Sequence, residues 1–180
     1  MNLLLITARF YLPAFIKKKK VKELLELTAE SFQSDLPDIK NLSYNDCLIA
    51  YAQFSKTKAE EVTKFDNNAE AVKKRLYLNA FQMGEKLRKD FRIKTQADVI
   101  RLSKILYKIL KIDFNGNLSG EVIIKRCFFS QFYTPEVCGI ISSIDEGLAA
   151  GLSAGGRLVF KNRITEGRNC CHATLKMEDI

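Results

Sequence analysis

Four of the five cysteines, Cys127, Cys138, Cys170 and Cys171, fall in the last third of the chain, and the single histidine, His172, follows directly. A thiolate is a nucleophile and a soft metal ligand, and an imidazole is an acid, a base or a ligand. Glycine is concentrated in the same stretch, at Gly139, Gly147, Gly151, Gly155, Gly156 and Gly167. Any chemistry is therefore sought between Cys127 and His172. Cys138 falls in the first turns of an expected helix, where the partial positive charge of the helix end favours thiolate. Asp145 follows it seven residues on, about two helical turns, so one continuous helix would place both near one face. Asp145 could then act as general base, or orient a nucleophile or a bound water.

Cys127, Cys138, Cys171 and His172 also form a candidate metal-ligand set, a metal ion being the cofactor such residues would hold. Their spacing matches no compact zinc motif such as paired CxxC. The competing reading is burial, because a free cysteine packs as a small hydrophobe. It applies first to Cys47, Cys127 and Cys170. Strand alternation sets a further condition. In a regular strand Cys171, Ala173 and Leu175 point one way, and Cys170, His172 and Thr174 the other. Cys171 and His172 can share a pocket only through a bulge. A Ser-His-Asp hydrolase is hard to build on one histidine with no marked serine. The Gly151–Gly156 segment precedes a strand, so it lacks the helix N-terminus that cradles phosphate.

These groups must be positioned by the elements around them. Helical periodicity is read over Val21 to Phe32, over Tyr44 to Val62 with Asn45 or Asp46 as N-cap, over Ala69 to Phe91, and from a Thr95–Asp98 cap through Ile112. Gly84 interrupts the third helix and is read as a close-packing position. Asp113 to Asn117 is a turn cluster. Glu121 to Phe129 is β-branched and aromatic and predicts a strand carrying Cys127. Thr134-Pro135-Glu136 starts a helix running toward Leu148. Arg157 to Ile164 and Cys170 to Met177 predict two strands joined by a turn at Glu166 to Asn169. The result is one α+β domain over residues 1–180, with a helical N-terminal region packed on a small antiparallel sheet in the C-terminal third. Residues 1–65 form N-terminal helices that could be a docking extension, and residues 69–177 form the core.

The chain has 180 residues, a formal net charge of +8, 47% hydrophobic and 28% charged residues. That is enough to build a core without staples. The apolar stretch MNLLLITARFYLPAFI precedes Lys17-Lys18-Lys19-Lys20 and Lys22. It is shorter than a membrane span of about 20 residues, and its charge lies on the wrong side for a secretory signal. A cytoplasmic protein is expected, with peripheral membrane contact through residues 1–22 as an alternative use of this segment. A small-molecule substrate is the first expected partner and a second copy of the chain, in a homodimer, another. Nucleic acid rests on net charge alone and is set aside.

The order of Cys127, then Pro135-Glu136-Val137-Cys138, Asp145, Glu166-Gly167 and Cys171 in a closing strand resembles the L-2-amino-thiazoline-4-carboxylic acid hydrolase family. More distantly it is similar to 4-vinyl reductase domains. The likeness covers roughly Ala69 to Met177. It implies hydrolysis of a cyclic amidine-like C=N bond. Cys127 or Cys171 would then be nucleophile or metal ligand, with Cys138 beside them and Asp145 as base or orienter. Arg163 or Arg168 would hold the substrate carboxylate, and His172 would be a further substrate-binding candidate. The alternative is a module of the 4-vinyl reductase-like type that binds a small molecule, a metal or a cofactor without turnover.

Overall fold

The computed structural model describes residues 12–65 and 68–177. The first helix among the described residues, α1 (Ala14–Phe32), starts directly after Pro13 and ends where Gln33 turns left-handed, at φ 53°. Val21, Leu24, Leu25 and Thr28 recur at helical spacing and are buried. The second helix, α2 (Tyr44–Phe65), is capped by Ser43 rather than by Asn45 or Asp46. The Ser43 hydroxyl accepts from the Asp46 N–H at 3.2 Å and donates to the Asp46 carboxylate at 2.6 Å, a reciprocal cap. Helix α3 (Ala69–Asp90) follows, then α4 (Gln96–Ile109), which carries the expected Thr95–Asp98 capping box.

The sheet forms at the C-terminal end as expected, but its edges differ from the sequence reading. It contains β1 (Phe114–Gly116), β2 (Glu121–Ile124), β3 (Arg157–Asn162) and β4 (Cys171–Lys176), all antiparallel in the order β1-β2-β4-β3. The Asp113–Asn117 cluster is therefore mostly strand. The turn lies further on, where the Asn117 side-chain oxygen accepts from the N–H groups of Ser119 and Glu121 and Gly120 takes φ 83°. Strand β2 stops at Ile124, so Cys127 lies beyond it. Its carbonyl accepts from the Ser130 N–H and hydroxyl, which curls Phe128–Gln131 into a 3₁₀ turn.

The single helix expected after Thr134 divides into α5 (Pro135–Ile141) and α6 (Ser143–Leu152). At the junction, Ser142, ψ is −11° and the hydroxyl donates back to the Gly139 carbonyl. The β3–β4 connection is longer than a tight hairpin. It holds a 3₁₀ turn, Ile164–Glu166, closed by Gly167 at φ 79°.

Two apolar cores result. One gathers α1, α2, α3 and α5 around residues such as Leu25, Leu48, Tyr51, Leu76 and Ile140. The other joins α4 to the sheet through Val99, Leu102, Phe114, Val122, Leu158 and Leu175. Met83, Ile112, Cys127 and Leu148 pack against both.

Helix α6 reaches this seam by nearly touching the backbone of α3. A β-carbon on Gly147 would lie 2.1 Å from the Tyr77 carbonyl oxygen, one on Gly151 2.2 Å from that of Phe81, and one on Gly84 2.6 Å from that of Leu148. The close-packing reading of Gly84 holds, and its partner is the Leu148–Leu152 stretch of α6. Alanine normally stabilises a helix by about 0.5 to 1 kcal/mol over glycine. Here the sign reverses: Gly147→Ala and Gly151→Ala are each expected to destabilise the protein by about 3 kcal/mol, because backbone must move. Gly139→Ala in α5 meets nothing within 4 Å and should stabilise by about 0.5 kcal/mol. Urea unfolding midpoints of the three variants check this contrast.

Candidate functional site: an acid–thiol hollow between two cores

Where the two cores meet, a hollow of about 110 Å³ remains. Cys127 enters it from the turn after β2, Cys138 from α5, Asp145 from α6 and Cys171 from the start of β4. Four residues far apart in sequence therefore line one space. The break at Ser142 does not separate Cys138 from Asp145, since both face the hollow. The remaining wall is largely apolar. Tyr51, Phe129 and Tyr133 form an aromatic side, with Tyr51 edge-on to Phe129 at 5.5 Å and Phe129 stacked on Tyr133 at 5.6 Å. Met83, Leu106, Leu110, Ile112 and Leu148 supply aliphatic surface.

Asp145 is partly buried and lines the hollow. The Tyr107 hydroxyl donates to its Oδ1 at 2.7 Å. Tyr107 is itself fixed by stacking on Phe114 at 4.7 Å. Burial pushes the Asp145 carboxyl from its ordinary 3.8 to about 6, against the opposing pull of Tyr107 and of the Arg163 guanidinium. Tyr107 was not among the sequence candidates. Its signal was a polar-tipped side chain on the buried Val99–Ser103–Tyr107 stripe of α4, and a buried tyrosine hydroxyl needs a partner.

The thiols behave differently from the helix-terminus expectation. Burial pushes Cys127 up to about 12, although the Phe129 and Ser130 N–H groups pull the other way. Burial also raises Cys138, outweighing the Thr165 hydroxyl and Arg163 beside it. Cys138 is thus not the low-pKa thiol that its place in the first turn of α5 suggested. Cys171 is raised as well, even though the Ile164 N–H donates to its sulfur at 3.4 Å. Desolvation of the thiolate outweighs the local dipoles at all three. Cys47 sits in the first core, with its sulfur 3.9 Å from the Ile39 carbonyl oxygen, and packs as a small hydrophobe.

The basic candidates separate. Arg163 is held outside the lining: its guanidinium donates to the Ser142 hydroxyl at 3.1 Å, lies 3.5 Å from Glu166 and covers the Phe160 ring at 4.7 Å. Its charge still acts on Asp145, Cys138 and Cys171. Arg168 is exposed in the β3–β4 connection. His172 faces the opposite side of the sheet from Cys171 and pairs with Glu121 at 3.1 Å. The sheet does contain an irregularity, but it lies in β3 between Phe160 and Asn162, so β4 keeps its alternation and holds His172 away from the hollow. The proposed set of Cys127, Cys138, Cys171 and His172 is therefore not assembled. Among the described residues, no group of three or more histidine, cysteine or carboxylate side chains could hold a metal ion.

Fold and site together define an α+β protein with a partly open hollow lined by one carboxyl and three thiols. No protein-family model matches the chain, and no curated protein matches it.

The raised Asp145 carboxyl links stability to pH. The folded protein holds this proton more tightly than the unfolded chain does. The resulting stabilisation is fully present below about pH 4 and is lost as the pH rises through about 6. A shift from 3.8 to about 6 corresponds to roughly 3 kcal/mol. Asp145→Asn removes the titration while still accepting from Tyr107. Its stability relative to the natural sequence should therefore increase by up to that amount between pH 4 and pH 7, as read from urea unfolding at both values.

Proposed function

We propose that the hollow is the catalytic pocket of a hydrolase that opens a small cyclic C=N compound of the thiazoline or cyclic-amidine type. The observation that carries this reading is the Asp145 carboxyl lining the hollow, held by the Tyr107 hydroxyl at 2.7 Å and raised by burial to about 6. A group with that pKa is largely ionised at neutral pH, so it can take a proton and return it within one turnover. In the proposed reaction a water oxygen bonds to the amidine carbon as Asp145 takes a water proton. The tetrahedral intermediate then collapses to a C=O group as the ring C–N bond breaks; the departing nitrogen takes one proton back from Asp145 and the second from the added hydroxyl, and the carbonyl carbon stays on the ring sulfur. Neutral thiols make weak nucleophiles, which favours water as the attacking group and gives Cys127, Cys138 and Cys171 a lining role.

Two further features support the substrate class. A dry engineered cavity of about 150 Å³ accommodates benzene, so a hollow of about 110 Å³ suits one small ring. The resemblance of residues 69–177 to the L-2-amino-thiazoline-4-carboxylic acid hydrolase family points to the same chemistry. Arg163, just outside the lining, is better placed than Arg168 to meet a substrate carboxylate. A second reading is favoured by the largely aliphatic and aromatic wall: a module that binds a small apolar molecule without turning it over.

The test is turnover of 2-aminothiazoline-4-carboxylate alongside equilibrium binding. The natural sequence is expected to release S-carbamoyl-cysteine, the product of ring C–N cleavage. Asp145→Asn should lower kcat by about 100-fold or more, and the natural protein's kcat/KM should fall as the pH drops through about 6, where Asp145 becomes protonated. Cys171→Ala and Cys127→Ala should stay within about tenfold. Loss of turnover in folded Cys171→Ala would replace water with a thiol as the nucleophile. Binding without turnover would support the non-catalytic reading.

A further inference from the structure

The first turns of α1 carry a run of lysines that the fold engages only in part. Lys17, Lys18, Lys19, Lys20 and Lys22 occupy them, and no acidic residue lies in the first turn. Helix N-termini carry a partial positive charge and favour anions, so this placement is unfavourable in the isolated protein. The four consecutive lysines run around the helix, with Lys17 over the Tyr44 ring at 5.6 Å and Lys20 paired with Glu23 at 2.6 Å, but the exposed ones align. Val21, Leu24 and Leu25 face the core, while Phe15, Lys19 and Lys22 are exposed at i, i+4 and i+7 on the opposite side. Lys18 adjoins this stripe and donates to the Lys40 carbonyl at 2.8 Å, bringing exposed Lys40 alongside. Phe15, at the end of the stripe, is 73% exposed. Lys22 reaches Glu26 at 3.4 Å, but both side chains remain about half exposed, and such pairs are weak.

A cationic stripe ending in a bare aromatic ring fits a surface that is anionic outside and apolar just beneath. We propose that this face of α1 docks on an anionic lipid bilayer, with the helix along the interface, Phe15 at the acyl boundary and the lysines reaching the headgroups. Contact, rather than crossing, agrees with the finding that among the described residues no helix is long and apolar enough to cross a membrane. A nucleic acid duplex would offer phosphates to the lysines but no apolar layer for Phe15. The inference is independent of what the hollow does.

Vesicle co-sedimentation of the full chain tests it, using phosphatidylcholine alone and phosphatidylcholine with 30% phosphatidylserine as order-of-magnitude (~30%) compositions. Binding is expected on the anionic vesicles and not on the neutral ones, weakening as salt rises from about 50 to 500 mM. One juxtamembrane lysine contributes about fivefold, so combined Lys18→Gln, Lys19→Gln and Lys22→Gln should weaken binding on the order of 100-fold. Phe15→Ser, which keeps every charge, should weaken it by about tenfold. Absence of binding to anionic vesicles would overturn the proposal, as would equal binding to neutral ones. So would retention on duplex DNA that exceeds vesicle binding and ignores Phe15→Ser.

Discussion

The near-contact of two helix backbones, α3 and α6, sets the geometry of everything around it. It requires a hydrogen atom where other residues carry a β-carbon, at Gly84, Gly147 and Gly151. Each glycine costs its helix about 1 kcal/mol relative to alanine, so the approach must return more through packing. Asp145 lies two residues before Gly147, Leu148 lies between the two α6 glycines, and Met83 precedes Gly84. These same residues form part of the cavity wall. Widening the helix crossing by one methyl group would therefore shift the carboxyl and the aliphatic wall together.

Within that frame, desolvation decides the electrostatics. The hollow has too few polar atoms to stabilise several anions at once. Each thiolate would have to form beside the Asp145 carboxylate, and that charge raises Cys127, Cys138 and Cys171 further. The competition leaves one ionisable group near the physiological range and keeps the others neutral. Arg163 tempers the carboxyl from outside while bound to Ser142, Glu166 and the Phe160 ring. It thereby ties the junction between α5 and α6 to the β3–β4 connection, and the next two residues of that connection, Ile164 and Thr165, close the wall.

Much of this arrangement was legible in the residues. The α+β class, the Thr95 cap, the packing role of Gly84 and the inward face of β4 all follow from local patterns that tertiary contacts reinforce. The convergence of Cys127, Cys138, Asp145 and Cys171 was also suggested by their order. Other features depend on partners that a linear pattern does not display. Phe114–Gly116 reads as a turn because Asp113, Asn115 and Asn117 surround it, yet pairing with Val122–Ile124 makes it a strand. The split at Ser142 depends on a hydroxyl that meets both Gly139 and Arg163. The Cys138 reading weighed the helix end but not the apolar enclosure, and enclosure is the stronger effect. Tyr107 gains its role only from the placing of its hydroxyl against Asp145, a partner 38 residues away.

The space itself has an energetic meaning. At about 24 cal/mol for each Å³ left unfilled, a void of about 110 Å³ forgoes roughly 2 to 3 kcal/mol that a larger side chain could have recovered. It lies where both halves of the interior meet, beside Met83, Cys127 and Leu148, which belong to the packing of each. Whatever molecule settles there would act as a keystone. By touching both halves it would couple them, so the rigidity of the whole chain would follow the concentration of its guest.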